Sequence, residues 1–463
     1  MAYIHLFTGR QSAIFCLLAG LIFLSATHCA AQSGEAAHYG AVLPPNAPAK
    51  PLLTSVLPLY FDAAQGVSSD DLVKRAIASN GELAAARLEL ERGRVRLRQA
   101  GLRPNPTLAV EQTTGRLTGS AGERETSVGL SVPLEIYGQR QRRRELAQAE
   151  LDATAALIAD QERRVANEVR GLYAEALAVL RELSITEQLN ELDTQTAAFV
   201  QIRVNEGDTA PLELNLLRVE VERLRARRAL LEGRLQAVLA QLKGRAGMLS
   251  SEPLRLREDL AVPAWTPPAT VAAAVDIALR TRPDLQLARL TEQVANAGYR
   301  LARAQAKPEV SASARYTMSR AVFDNTPAGP FTDSGRSLTF GVTIGLPVFN
   351  KNQGPQQEAF ITIAQAQQRR AFLEGVIRAE IQSAYARLAA TRTALATFES
   401  GVIKGSQENI RVIRAAYELG EFRINDLLAE QRRLVDAQRE YTETLAEQYR
   451  ARADLRAALG LVD

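Results

Sequence analysis

The sequence predicts a mainly α-helical protein with a small β part: long coiled-coil helices, plus four strands per chain that complete a membrane barrel with strands of other copies. Three observations carry this expectation. The chain is written twice, its longest segments repeat apolar residues every three or four positions, and its strand candidates alternate between apolar and small or polar residues.

The N-terminus comes first. Residues 1–31 contain one charge, Arg10, then an apolar run from Ala13 to Leu24 and a small-residue end at Cys29-Ala30-Ala31. This is the layout of a cleaved secretory signal, and about twelve apolar residues are too few for a spanning helix, which needs roughly 20. Both cysteines, Cys16 and Cys29, leave with it, so neither disulfides nor Cys-based metal sites are expected in the mature chain. Acylation of Cys29 is the lesser alternative, because His28 stands where lipoprotein signals place a small residue. Residues 32–66, with Pro44, Pro45, Pro48, Pro51 and Pro58, read as an extended arm.

The first repeat is assigned to residues 67–247 and the second to 271–463, joined by a connector over 248–270 that carries Pro253, Pro263, Pro267 and Pro268 around Trp265. Leu83 and Pro106 recur 202 residues later as Leu285 and Pro308. Beyond the strands the offset becomes 213 or 214, relating Pro133 to Pro347, Gly207 to Gly420, Leu242 to Leu455 and Gly247 to Gly460. About a dozen residues are therefore inserted between the two strands of copy two, and Ala321 to Arg336 is expected to form an exposed loop.

Each repeat reads as helix, two strands and a long helical hairpin. Leu151, Ala155, Ile158, Val165, Val169, Leu172, Ala176 and Val179 make one heptad seam, interrupted at Glu162. Leu217, Val221, Leu224, Leu231, Leu235, Val238 and Leu242 make another, interrupted at Arg228. From Pro133 to Gly207, mostly helical chain reaches on the order of 100 Å, the scale of a tube rather than a globule.

The strand pairs are expected at about 107–133 and 309–347. In the second, Leu338, Phe340, Val342, Ile344 and Leu346 alternate with Thr339, Gly341, Thr343 and Gly345. Segments of this length and period fit strands crossing an outer membrane, apolar toward lipid and polar toward the lumen. Four strands cannot close alone, since open edges are not tolerated in lipid; counting leaves dimer or trimer open.

With these features assembled, the chain resembles the TolC-like outer-membrane efflux protein family from about residue 68 to residue 460. The resemblance rests on the duplication, on Val132-Pro133-Leu134 and Leu346-Pro347-Val348 after the second strands, on the turns Asn205-Glu206-Gly207 and Glu418-Leu419-Gly420, and on the run from Ile424 to Gln431. It implies a homotrimer with a twelve-stranded barrel in the outer-membrane lipid and a periplasmic tube, meeting a membrane-fusion adaptor and an inner-membrane pump of the resistance-nodulation-division type. Gly207 and Gly420 match the tip turns where the adaptor docks, although a glycine that only ends a helix is the plainer reading. Asp426 matches an acidic ring that narrows the pore, with Glu213 as its counterpart in copy one; a favourable helix-start carboxylate is the plainer reading here. A second acid one turn on is absent, Ala429 standing there with Glu430 beside it. The stretches from Leu346 to Gly354 and from Glu135 to Arg140 resemble the cobalt-zinc-cadmium resistance subgroup.

Composition excludes other classes. The net charge of +4 becomes +3 without Arg10, and 56 basic residues interleave with 52 acidic ones, which is no nucleic-acid footprint. No phosphate loop, zinc-hydrolase spacing or nucleophile elbow occurs in a convincing context, so no catalysis and no cofactor are expected. After signal removal only His38 remains of three histidines, and no metal site is expected. The competing readings are the duct of a drug exporter or type I secretion system, and a structural coiled-coil envelope protein.

Overall fold

The computed structural model describes residues 55–463, apart from 118–121, 261–264, 324–328, 330 and 463. The expected signal segment, both cysteines and His38 lie outside the described residues, as do residues 32–54 of the expected arm.

The described end of the expected extended arm carries one helical turn, α1 (Leu57–Tyr60), with Pro58 in its first turn; the first repeat then comprises α2 (Ser69–Ser79), α3 (Gly81–Ala100), β1 (Thr107–Thr114), a 3-10 turn at Gly115–Leu117, β2 (Arg124–Leu134), α4 (Gln139–Glu206) and α5 (Pro211–Arg245). The second comprises α6 (Val271–Thr281), α7 (Pro283–Gln305), β3 (Glu309–Phe323), β4 (Phe331–Gly345), α8 (Gln353–Thr397), α9 (Ile403–Glu418) and α10 (Ile424–Ala458), with one π-helical turn, Phe398–Val402, between α8 and α9. α4 has 68 residues and runs about 100 Å.

Local chemistry sets the helix boundaries. α2 starts at Ser68, whose hydroxyl accepts from the Asp71 N–H while the Asp71 carboxylate accepts from the Ser68 N–H. It ends at Asn80, whose side-chain oxygen accepts from the N–H groups of Glu82 and Leu83 to start α3. The Asn80 amide also donates to the Arg245 carbonyl at 2.9 Å, closing the first repeat. Arg282 does the same job in the second repeat: it stands between α6 and α7 and donates to the Ala458 carbonyl at 3.3 Å. Gly247 (φ +64°) and Gly460 (φ +77°) follow those helix ends. A Cβ on Gly247 would lie 2.5 Å from the Ser79 carbonyl oxygen, and one on Gly460 2.9 Å from the Arg282 Cα, so both positions demand glycine by conformation and by crowding.

The helices carry more buried surface than one seam explains. All seven apolar seam positions of α5 are buried, and Arg228 sits among them paired to Glu187 at 3.0 Å. In α4, however, Ala155 is exposed and Leu172 only half-buried, while Ala166, Arg170, Tyr173, Leu177 and Leu180 form a second buried stripe. The reason is that α4 packs against α3, α5, α7 and α10 rather than one partner. Tyr173, fully buried, donates its hydroxyl to the Val67 carbonyl and accepts from the N–H groups of Arg257 and Glu258, pinning the segment before α2 and the connector to α4.

The strands form one antiparallel sheet in the order β1-β2-β3-β4. The expected loop from Ala321 to Arg336 is a correction: β3 continues to Phe323, which pairs with Phe331, so most of the insertion lengthens the hairpin. β3 and β4 have 15 residues each against 8 and 11 in β1 and β2. Pro133 lies inside β2, opposite Ser311, but beyond the end of β1, where its missing N–H breaks no ladder on that side.

Toward the far end of the hairpins a polar network joins the repeats. Asp193 of α4, 2 % exposed, accepts from the Gln431 amide of α10 at 3.1 Å. Nearby Glu220 of α5 holds Arg223 at 2.6 Å and Arg432 of α10 at 3.1 Å. Burial pushes the Asp193 carboxyl up to about 6, with the Glu220 charge adding to the shift and the Gln431 hydrogen bond opposing it. An unfolded aspartate titrates near 3.9, so between about pH 4 and 6 the native state holds a proton the unfolded chain has released, and stability from this group falls as pH rises through that window. Asp193→Asn keeps an acceptor for Gln431 and removes the ionisation. Its melting temperature in detergent is expected above that of the parent at pH 7.5, with the gap closing by about pH 4; a variant that melts lower at pH 7.5 would refute this.

Candidate functional site: the strand sheet and the helix tips

The register sorts the sheet into two faces. Leu108, Leu130, Ala314 and Phe340 form one row, and Val110, Val128, Tyr316 and Leu338 the next, so even-numbered residues share a face. Large apolar groups there stand open in the single chain, Phe340 at 76 % and Val342 at 66 % exposure. Odd-numbered positions bring Thr107, Ser131, Ser313 and Gly341 into line on the other face. There Arg315 of β3 reaches across β2 to Glu111 of β1 at 2.6 Å, passing the small residues Ser127 and Gly129.

An apolar face of this kind on isolated strands would be unstable in water, and hydrocarbon is its natural solvent. Fifteen extended residues measure about 50 Å along the strand, enough to cross a bilayer core at a steep tilt. Among the described residues no helix is long and apolar enough to cross a membrane. β1 and β4 each keep one unpaired edge, which other chains must fill within lipid.

The opposite end of the molecule is the pair of helix tips. At Gly207 (φ +85°) the Asp208 N–H donates to the Arg203 carbonyl at 2.9 Å, and at Gly420 (φ +80°) the Glu421 N–H donates to Ala416 at 2.9 Å. Both are the same six-residue closure of a helix. No atom lies within 4 Å of a Cβ built on either glycine, so the demand is for left-handed backbone, and the turns stay uncovered. Val200, Leu214, Leu217, Tyr417, Ile424, Leu427 and Leu428 pack the two tips together.

The two tip carboxylates have different surroundings. Glu213, in the first turn of α5, is half-buried and accepts from the Tyr417 hydroxyl of α9 at 3.1 Å. Burial first, and then the Glu213 charge, push the Tyr417 phenol up to about 12, so it remains a donor. Asp426, in the first turn of α10, is exposed and accepts from the Arg423 N–H at 3.1 Å. Glu430 turns inward, 3 % exposed, and holds Asn409 at 3.0 Å and Arg433 at 2.8 Å. Among the described residues no group of three or more His, Cys, Asp or Glu could hold a metal ion. Sequence reasoning passed over Tyr417. Its copy-one counterpart is Val204, and the exchange of an apolar residue for a phenol at a repeated core position was the available signal.

Comparison with known proteins agrees with this geometry. The family described as outer membrane efflux protein matches residues 72–247 and 274–461. The cobalt-zinc-cadmium resistance protein CzcC of Cupriavidus metallidurans is 24% identical over 413 residues, covering 88% of this chain and 93% of the relative. The crystal structure of CusC, reported for its folding and transmembrane channel formation, shares the fold with a TM-score of 0.69 at 21% identity, over 90% of this chain and 99% of that one. The open-state MtrE outer membrane channel of Neisseria gonorrhoeae gives 0.67 at 19% identity, over 85% and 89% of the two chains. A family match through both repeats, on a fold of long helices and one lipid-facing sheet, means that the chain belongs to the outer membrane efflux protein family, as an outer-membrane channel with a periplasmic helical tube and not an enzyme.

Proposed function

We propose that this channel is the exit duct of a tripartite exporter of heavy-metal cations, assembled from three copies, a periplasmic membrane-fusion adaptor and an inner-membrane pump of the resistance-nodulation-division type. The observation that carries the cargo class is the charge of the polar strand face: among the described strand residues Glu111, Glu125, Glu309 and Asp333 stand there against one cation, Arg315. Three such faces around one lumen attract cations and repel anions. The likeness to a cobalt-zinc-cadmium resistance protein points the same way. Selectivity among metals is assigned to the pump, because scattered carboxylates in a wide duct attract cations as a class.

Three sheets of four strands make a twelve-stranded barrel, within the range of known outer-membrane barrels. At the tips, Asp426 of each copy is proposed to ring the periplasmic opening, and the uncovered turns at Gly207 and Gly420 to receive the adaptor. Glu213 acts one step back: its hydrogen bond to Tyr417 ties the hairpin of the first repeat to that of the second, and the hairpins cannot part without losing it. A drug exporter or type I secretion duct would share the architecture, and the carboxylates of the strand face are what favour a cationic cargo over these.

The cargo is tested by deleting the gene in its host. Growth in cobalt, zinc and cadmium salts is expected to fail at lower concentrations and to recover with the intact gene, whereas unchanged tolerance to all three would remove the metal assignment. The assembly is tested by mass measurement of the detergent-purified protein, where a trimer is expected and a stable monomer would sink the proposal. The gate is tested in planar bilayers. Asp426→Ala is expected to raise conductance and weaken block by divalent cations, with a smaller change in Glu213→Ala because that carboxylate is engaged by Tyr417. Unaltered conductance and block in Asp426→Ala would show that its carboxylate only caps its helix.

A further inference from the structure

The lipid-facing side of the sheet has a second property, at the end where the hairpins turn. On the even-numbered face of the described strands the charged residues are Arg124, Arg320 and Arg336, all basic and all at this end. Arg124 is the direct cross-strand partner of Arg320, and Arg336, opposite Met318, is diagonal to it. Like charges placed this way repel. All three side chains are exposed, and among the described residues none has an ion pair; the strand carboxylates stand on the other face. Three unneutralised cations on neighbouring strands call for an anion from outside the chain.

The geometry identifies where that anion comes from. Every α-helix that adjoins the sheet does so at the opposite end, and the helical tube is periplasmic, so the arginines lie at the exterior boundary of the membrane. Immediately inward the same face turns apolar, with Tyr316, Val128 and Leu338 in one row. Arginine stems lie along such a surface and carry their guanidinium groups to headgroup depth. Guanidinium forks bind phosphate oxygens in pairs, and neighbouring strands set them about 5 Å apart, close enough for two to share one phosphate.

We propose that Arg124, Arg320 and Arg336 form a binding site for the phosphate of an outer-leaflet lipid headgroup, one on each copy, which neutralises the cluster and fixes the depth of the barrel in the membrane. The proposal uses the outer-membrane orientation of the channel and is independent of its cargo.

The test titrates diphosphorylated lipid A into the full-length protein in detergent and counts bound lipid by native mass spectrometry. The parent is expected to bind it, with the dephosphorylated lipid and millimolar inorganic phosphate each binding at least about tenfold more weakly. In Arg124→Gln/Arg320→Gln/Arg336→Gln, affinity is expected to fall at least about tenfold, and severalfold in Arg320→Gln alone, which serves if the triple variant does not assemble. Arg411→Gln, on the exposed face of α9, is expected to bind as the parent does. Equal binding by the arginine variants, or of the dephosphorylated lipid, overturns the site; inorganic phosphate binding as tightly as the lipid overturns its assignment to a lipid. Bilayer conductance of the same samples keeps the channel separate: a conducting variant that has lost lipid supports the site, and a non-conducting parent strikes the channel reading instead.

Discussion

A strand in hydrocarbon must have its backbone N–H and C=O groups paired, and the rest of the molecule follows from how this chain meets that requirement. β2 belongs to the first repeat and β3 to the second, yet they pair along the full length of β2, from Arg124 opposite Arg320 to Leu134 opposite Val310. That ladder sets the two repeats side by side with a fixed register. Since one step of slippage would turn every apolar side chain from lipid to lumen, the register is held by burial of the face as well as by hydrogen bonds. The two outer edges remain, and they make the single chain an incomplete object in a membrane.

Below the sheet, the helices are held by polar groups inside an otherwise apolar packing. Asp70 of α2 receives Arg170 of α4 and Arg456 of α10 at 3.0 Å each, and Arg170 also reaches the Val462 carbonyl at 2.7 Å. Glu258 of the connector takes the Ser69 N–H at 2.7 Å and the Tyr449 hydroxyl of α10 at 3.0 Å. These links tie the start of the first repeat, the connector and the end of the second into one collar. Removing one partner would leave a buried charge unmatched, which costs more than the pair itself contributes. The tip network of Asp193, Glu220, Gln431 and Arg432 repeats this arrangement nearer the periplasmic end, with the difference that its aspartate is poised near neutrality.

Charge is sorted along the sheet as well as across it. Among the described strand residues the lumen face carries four carboxylates and Arg315, while the lipid face carries three arginines at its exterior end and no acid. One alternating sequence therefore separates the acidic side chains from Arg124, Arg320 and Arg336, placing them on opposite faces of one sheet. Period two makes this possible, because adjacent residues never share a face.

The amino-acid sequence by itself determined what depends on local pattern. Alternation in β3 and β4, the apolar seam of α5, the left-handed turns at Gly207 and Gly420 and the matching offsets of Leu83 in α3 and Leu285 in α7 are properties of short windows or of comparing one window with another, and they are legible without a fold. Tertiary structure decided what depends on neighbours from elsewhere in the chain. The second buried stripe of α4 exists because several helices surround it, and no single seam in the sequence announces how many partners a helix has. Strand pairing out to Phe323 and Phe331 was hidden by Pro327, Gly329, Pro330 and Gly335, residues that signal a turn whether the ladder stops early or late. Glu213 and Asp426 look equivalent by position, six residues after their glycines, and only packing shows that Tyr417 engages the first and leaves the second exposed. A side chain's direction and partners are set by what the fold brings to it, and a repeat that is nearly symmetric in sequence becomes asymmetric wherever the two copies touch each other.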